Sequence, residues 1–300
     1  MMLRVEGLSR SYGAIRAVDA MDLVLDEGEL VAVAGPDGAG KTSLFRALAG
    51  LIDFDAGEAS IAGHDVRREF DRIKPILGYM PQVFSLYPDL SVEENLHFYS
   101  GLFGLSRKEF DAKKGELYEF SGLEPFARRR AGQLSGGMKQ KLALSCALIH
   151  EPKVLILDEP TTGVDPLSRR QFWEILLSLK SAGSSVLVST PYMDEVGLAD
   201  RAVLMHEGKK LAEGSPSGLS GLYRGTVFRL REQPTPELMN LVGAIPGITA
   251  RRLGSTIRIT APEGHSAEKV EEDLRRVGVA KNVERVEAEL EDAFVQMMEA

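Results

Sequence analysis

Short apolar runs separated by polar, glycine-rich breaks recur through the first two thirds of the chain. Leu30 to Ala34 is one such run, and its brevity and lack of alternation predict a buried strand. A Gly-rich turn follows, then a helical pattern from Thr42 to Leu51. Val154 to Leu157 and Val186 to Val188 are short, apolar and rich in valine, and predict two more buried strands. Between Ser91 and Ile149 the pattern is mostly helical. Buried strands alternating with helices predict a parallel α/β core, here with a helical insertion at about 83–150.

The pattern changes at Glu213-Gly-Ser-Pro-Ser-Gly218, with further glycines at Gly221 and Gly225. This density of Gly, Ser and Pro predicts a linker over 214–225 between a domain spanning 1–213 and one spanning 226–300. The second domain begins with a strand at Thr226 to Leu230 and a helix at Thr235 to Val242. A hairpin follows, Ile248 to Arg252 and Thr256 to Thr260. Ser266 to Val277 reads as a helix opened by a serine N-cap, and Asn282 to Val286 as a last strand. The order βαββαβ predicts a small α+β domain of the ferredoxin-like kind. Leu290, Ala293, Phe294, Met297 and Met298 then fall on one face of a terminal amphipathic helix, expected to pack on its own domain.

Composition narrows the class. With 44% hydrophobic and 27% charged residues in 300, the chain is ordinary for a globular protein. No stretch reaches the ~20 continuous apolar residues that span a bilayer, and Met1 to Ser11 lacks the apolar core of a secretory signal. Any membrane role is therefore expected to act through a partner. The lone Cys146 fits a reducing compartment. Net charge is −8, and basic residues fall in scattered pairs such as Arg67-Arg68 and Arg169-Arg170. No concentrated basic face is present, so no nucleic-acid partner is expected.

Three segments carry chemistry. Gly35-Pro36-Asp37-Gly38-Ala39-Gly40-Lys41-Thr42 fits the phosphate-binding loop pattern and lies between a predicted strand and a predicted helix. Its glycines let backbone N–H groups turn inward toward phosphate oxygens, and the helix N-terminus adds positive charge. Lys41 supplies a cation for the β and γ phosphates, and the Thr42 hydroxyl suits Mg²⁺. Val154-Leu-Ile-Leu-Asp158-Glu159 is an apolar strand that ends in two acids. Alone, such an end suits solvated carboxylates. Beside a phosphate loop, Asp158 becomes a Mg²⁺ ligand and Glu159 a base for an attacking water. Leu134-Ser135-Gly136-Gly137-Met138-Lys139-Gln140 opens a helix with Ser135 as N-cap. It reads as a second anion site, free to grip a nucleotide bound elsewhere.

Together these segments resemble the ABC transporter ATPases from Met1 to about Glu213. Gly35 to Thr42, followed by Ser43, is similar to the family's Walker A loop, and Asp158 and Glu159 to Walker B with its catalytic glutamate. Tyr12 resembles the aromatic residue that stacks on adenine. Gln82, in Tyr79-Met-Pro-Gln82, resembles the Q-loop glutamine that senses Mg²⁺ and the γ-phosphate. Ser135 to Gln140 is similar to the signature motif, and Asp165 to the D-loop aspartate.

The resemblance implies a P-loop ATPase fold, binding of ATP and Mg²⁺, and ATP hydrolysis. It implies a head-to-tail dimer in which ATP lies between the Walker loop of one subunit and the signature motif of another, which is either a second copy or a different ATPase. It also implies a separate integral membrane permease on the cytoplasmic face of the membrane. The Gly-Gly-Met-Lys-Gln signature and Leu290-Glu-Asp-Ala-Phe294 are most similar to antibiotic-resistance and multidrug exporters. The alternatives are a weakly hydrolysing regulatory subunit and an ABC-type ATPase that does not transport. Val83, Phe84, Leu86 and Tyr87, just after Gln82, are expected to form a cluster that meets the permease, with two of them expected to be buried in the helical subdomain instead.

Two positions depart from the family. Asp37 stands where asparagine is usual, and its side chain is expected to cap the following helix. Pro191 stands where the switch histidine would be. Proline offers neither an imidazole nor a backbone N–H to a γ-phosphate.

Overall fold

The computed structural model describes residues 1 to 299 and divides the chain into two compact units, Met1–Ser215 and Pro216–Ala300. In the first unit the strands are β1 (Leu3–Tyr12), β2 (Ile15–Leu25), β3 (Leu30–Ala34), β4 (Ala56–Ile61), β5 (His64–Asp65), β6 (Leu77–Met80), β7 (Val154–Leu157), β8 (Ser185–Thr190), β9 (Arg201–His206) and β10 (Lys209–Gly214).

One sheet has the order β10-β9-β3-β8-β7-β6. Its strands run parallel except β10, which pairs antiparallel with β9 at the edge. β3, β7 and β8 are buried along their whole lengths. Burial on both faces is why their sequences are continuous apolar runs rather than alternating ones. A second sheet, β2-β1-β4-β5, is antiparallel and was not expected from the pattern. Its register shifts between Val5 and Leu8 and again between Leu8 and Arg10, so the in-out alternation of β1 is broken. The helix Lys41–Leu48 contributes Leu44, Phe45 and Leu48 to one core shared with residues of both sheets.

The helical insertion contains Val92–Leu102, Arg107–Ser121 and Gly136–Leu148. The first two begin with capping boxes, Ser91 with Glu94 and Ser106 with Glu109. Leu96, Phe110, Leu117, Leu142 and Ile149 belong to a core separate from that of the sheets.

The second unit has β11 (Thr226–Leu230), β12 (Thr249–Leu253), β13 (Thr256–Ala261) and β14 (Glu284–Val286) in the order β12-β13-β11-β14, all antiparallel. Helices Pro236–Gly243 and Ala267–Arg276 place Val242, Val270 and Leu274 against Phe228, Ile257 and Ile259. The stretch expected as a linker carries a helix, Pro216–Ser220, with Leu219 buried, and this helix packs on the terminal helix Leu290–Glu299. The terminal helix also buries Asp292, which its apolar pattern did not suggest. Arg258 reaches both Asp292 carboxylate oxygens, the Nε bonds being 3.0 Å each.

Candidate functional site

The C-terminal ends of β3, β6, β7 and β8 lie side by side in the parallel sheet, and each leads into a functional segment. β3 runs into the Gly35–Gly40 loop and the helix begun by Lys41. This loop is pressed against its surroundings. Gly40 is left-handed at φ 101°, and a Cβ there would run into the Ala17 carbonyl and lie 2.8 Å from Met205 Cε. Only glycine allows that approach. The loop's own carbonyls hold the lysine: Lys41 Nζ donates to Gly35 O at 2.7 Å and Pro36 O at 2.9 Å.

Lys41 also meets Glu159, Nζ to Oε1 at 3.0 Å, with both residues 3% exposed. The other Glu159 oxygen accepts from Gln82 Nε2 at 2.9 Å and from the Thr162 hydroxyl at 3.1 Å. Glu159 is left-handed at φ 46°. That costs a non-glycine residue on the order of 1–3 kcal/mol, and its N–H is anchored by donating to Ser189 Oγ at 2.8 Å. The Ser189 hydroxyl in turn donates to Asp158 Oδ1 at 2.8 Å, and Thr42 Oγ1 donates to the same oxygen at 3.2 Å. Asp158 Oδ2 is buried without a hydrogen-bond partner. Burial pushes the Asp158 carboxyl above the usual aspartate range, against the opposing pull of the Ser189 and Thr42 hydroxyls. Five expected residues, Lys41, Thr42, Gln82, Asp158 and Glu159, thus form one connected cluster.

A second grouping contains Ser135, Gly136, Gly137 and Asp165. Ser135 Oγ accepts from Met138 N–H at 3.4 Å and caps Gly136–Leu148. Asp165 accepts from Ser168 N–H at 3.0 Å and caps the helix Pro166–Ser181. The two caps pack together: a Cβ on Gly137 would lie 2.6 Å from Ser168, and one on Gly136 would lie 3.5 Å from Gly163 O. A small residue at Gly137 is therefore required by helix packing as well as suiting an anion.

A family model described as "ABC transporter" matches residues 18–162. The daunorubicin resistance ATP-binding protein DrrA3 of Streptomyces coeruleorubidus is 35% identical, over 98% of this chain and 95% of that protein. The chain belongs to the ABC transporter ATP-binding proteins. A probable multidrug ABC transporter ATP-binding protein of Escherichia coli K12, YbhF, is 36% identical over 99% of this chain, which spans 52% of that protein's length. Among solved structures, an ATP-binding subunit of an ABC transporter superposes with a TM-score of 0.67 at 31% identity, covering 74% of this chain and 92% of that one. The dimeric cassette MJ0796 bound to ADP and Pi gives 0.66 at 25%, covering 71% and 98%.

Within this ABC cassette, Tyr12 ends β1 and is 44% exposed, with the Arg10 guanidinium 4.8 Å from its ring centroid. It pairs with Ile15 at the turn of the hairpin whose second strand carries Ala17 past Gly40. Ser43, the residue after Thr42, is half-buried in the same helix. Asp37 is exposed and does not cap that helix. The N-cap is Gly40, with no side-chain cap bond. The left-handed turn at Gly40 replaces the capping geometry that a side chain at Asp37 would need. Pro191 follows β8, two residues after Ser189. Of the segment after Gln82, Leu86 is buried and Phe84 packs on the helical core, whereas Val83 is 70% and Tyr87 47% exposed.

Ser189, Thr161, Thr162 and the buried Glu195 had not been singled out from the sequence. Ser189 was accessible to inference. Leu157 pairs with Val188, and one further step in that parallel register sets Asp158 beside Ser189. No comparable signal marks the two threonines, whose loop lies outside regular structure.

Proposed function

We propose that this chain hydrolyses ATP and drives a separate membrane permease in export. The observation that carries the proposal is the cluster in which Lys41, Gln82 and Thr162 all point at the Glu159 carboxylate while Thr42 and Ser189 orient Asp158. Lys41 supplies positive charge to the β and γ phosphates. Gln82 and Thr162 fix one Glu159 oxygen, so the carboxylate is oriented to accept the proton of the water that attacks the γ-phosphorus. The bond to the bridging oxygen breaks, and ADP and phosphate leave.

Thr42 and Asp158 fit Mg²⁺: the unpartnered, buried Asp158 Oδ2 is a hard oxygen ligand beside a hydroxyl. Gln82, which donates to Glu159, is the third residue assigned to it on the family pattern. When bound, Mg²⁺ neutralises charge that develops on the phosphate oxygens.

The Ser135–Gly137 turn then serves the ATP of a second ABC subunit, with Asp165 beside it in the dimer. Exposed Val83 and Tyr87 are the surface offered to the permease, on the cytoplasmic side of the membrane. Relatives named for multidrug transport and daunorubicin resistance support export of small, antibiotic-like molecules. The second unit, with its strand order β12-β13-β11-β14, is a ferredoxin-like accessory domain joined at Ser215. Pro191 lowers the turnover of this chain's own site, because one donor to the γ-phosphate is missing.

Nucleotide affinity in the presence of Mg²⁺ tests the assignment. Lys41→Ala removes the one lysine in the loop and is expected to weaken ATP binding severely. Near-native affinity in that variant would overturn it.

A further inference from the structure

We infer that Glu195, which has no place in the cluster above, is a positioning residue that sets the loop of Glu159 and the turn of Pro191 at once. The inference rests on the ATPase reading of the Glu159 site. Its substance is the contact between Glu195 and the loops that follow β7 and β8.

Glu195 is 3% exposed, on the short turn of helix that follows Pro191 and Tyr192. Its Oε2 accepts from the Thr161 hydroxyl at 3.0 Å and from the Thr190 hydroxyl at 2.5 Å. These two threonines belong to different loops. Thr161 lies two residues after Glu159, and its neighbour Thr162 donates to the Glu159 carboxylate. Adjacent threonines therefore link the two glutamates, one hydroxyl tied to Glu195 and the next to Glu159. Thr190 is the last residue of β8, and its hydroxyl accepts from Tyr192 N–H at 3.1 Å. That bond closes a turn around Pro191. One buried carboxylate thus fixes the loop of Glu159 and the turn of Pro191 relative to each other.

The cation beside it comes from a third element. Arg169 Nε lies 3.2 Å from Glu195 Oε1, an ion contact without hydrogen-bond alignment. Its guanidinium also donates to Asp194 Oδ2 at 2.8 Å and lies 4.0 Å from the Tyr192 ring centroid. Arg169 is in the first turns of the helix capped by Asp165. The helix of the Asp165 turn is therefore joined to the same knot. A buried carboxylate serving two hydroxyls and one guanidinium is expensive to disturb, because each lost partner leaves a polar group unpaired. Such a knot moves as a unit.

Thr161→Val is the sharpest test, since it keeps the shape and removes one hydroxyl. Turnover is expected to fall about ten- to a hundredfold, as small misplacements at a catalytic group do, while ATP affinity stays within about twofold of native. Thr161→Ser restores the hydroxyl and is expected to recover turnover, which a volume effect alone would not. Hydrogen exchange reads the coupling without reference to hydrolysis. In Thr161→Val, amides of 158–165 and of 189–193 are expected to lose protection together. Native turnover in Thr161→Val, or loss of protection confined to 158–165, would overturn the inference. A native chain that binds but never hydrolyses ATP would refute the ATPase reading, while the exchange result would still decide the coupling. If Thr161→Val fails to fold, Thr161→Ala, which removes the same hydroxyl from a smaller side chain, is measured by the same two readouts with the same expected pattern.

Discussion

Lys41 Nζ and Glu159 Oε1 are 3.0 Å apart and both nearly inaccessible, so the phosphate-loop cation and the proposed general base form a buried ion pair. The pair joins β3's loop to β7's end. Removing either partner leaves the other as a buried charge without a partner, which is costly.

Lys41→Ala should therefore lower stability as well as nucleotide affinity. Breaking a buried pair from one side costs roughly 3–5 kcal/mol. Denaturant unfolding of the nucleotide-free protein measures it. The double variant Lys41→Met with Glu159→Gln removes both charges and is expected to recover much of the loss. Equal instability of the single and double variants would show that the charge pair is not the cause.

Asp158 supplies a pH dependence. Burial holds its carboxyl above the ordinary aspartate range. The folded chain then binds that proton more tightly than the unfolded one. Its contribution to stability is most favourable at low pH and declines as pH rises through the raised folded value. Cation binding needs the ionised form, so the effect on Mg²⁺ has the opposite sign. Mg²⁺-dependent nucleotide affinity should fall on acidification at a pH above that of an ordinary aspartate. Asp158→Asn should bind Mg²⁺ nucleotide weakly and with little pH dependence. An unchanged pH profile in that variant would remove Asp158 from the metal site.

Much of the fold was legible because burial on both faces leaves a strong mark. Leu30–Ala34 and Val154–Leu157 begin and end where their apolar runs do. Ser135 and Ser266 cap helices as their positions implied. The antiparallel sheet left a weaker mark, since bulges in β1 break its alternation. The glycines and prolines near Ser215 suggested open linker, yet Leu219 is buried there and holds a short helix in place. In the site, motif residues were recognisable singly. The hydroxyls that orient them were not, because Ser189, Thr162 and Thr161 meet the acids only through strand pairing and loop geometry. Asp37 failed as a cap for a local reason, the left-handed turn at Gly40.

Tyr87 tests the proposed permease surface. Its ring packs edge-on to Phe98 at 4.7 Å, and its backbone is held by buried Asn95 through bonds of 3.0 Å in each direction. The backbone restraint does not depend on the ring, so Tyr87→Glu should fold. Co-purification with membranes that contain the permease should be lost, while ATP affinity stays native. Retained co-purification would argue against this surface.

Pro191→His restores an imidazole at the proposed switch position. A single preorganised donor is worth about 10²–10³ in rate, so turnover by the purified chain should rise. The gain should be in kcat more than in KM for ATP. Rapid hydrolysis by the native chain, unchanged by the substitution, would show that Pro191 imposes no penalty.

Glu159 is proposed as the general base of an ATPase. Glu159→Gln keeps the side chain's shape and leaves an oxygen for Gln82 and Thr162, but its amide does not take up the water proton. ATP binding and steady-state hydrolysis, measured on the same Glu159→Gln preparation with Mg²⁺, decide the matter. Near-native ATP affinity with hydrolysis reduced to background is expected. Hydrolysis at the native rate would contradict it.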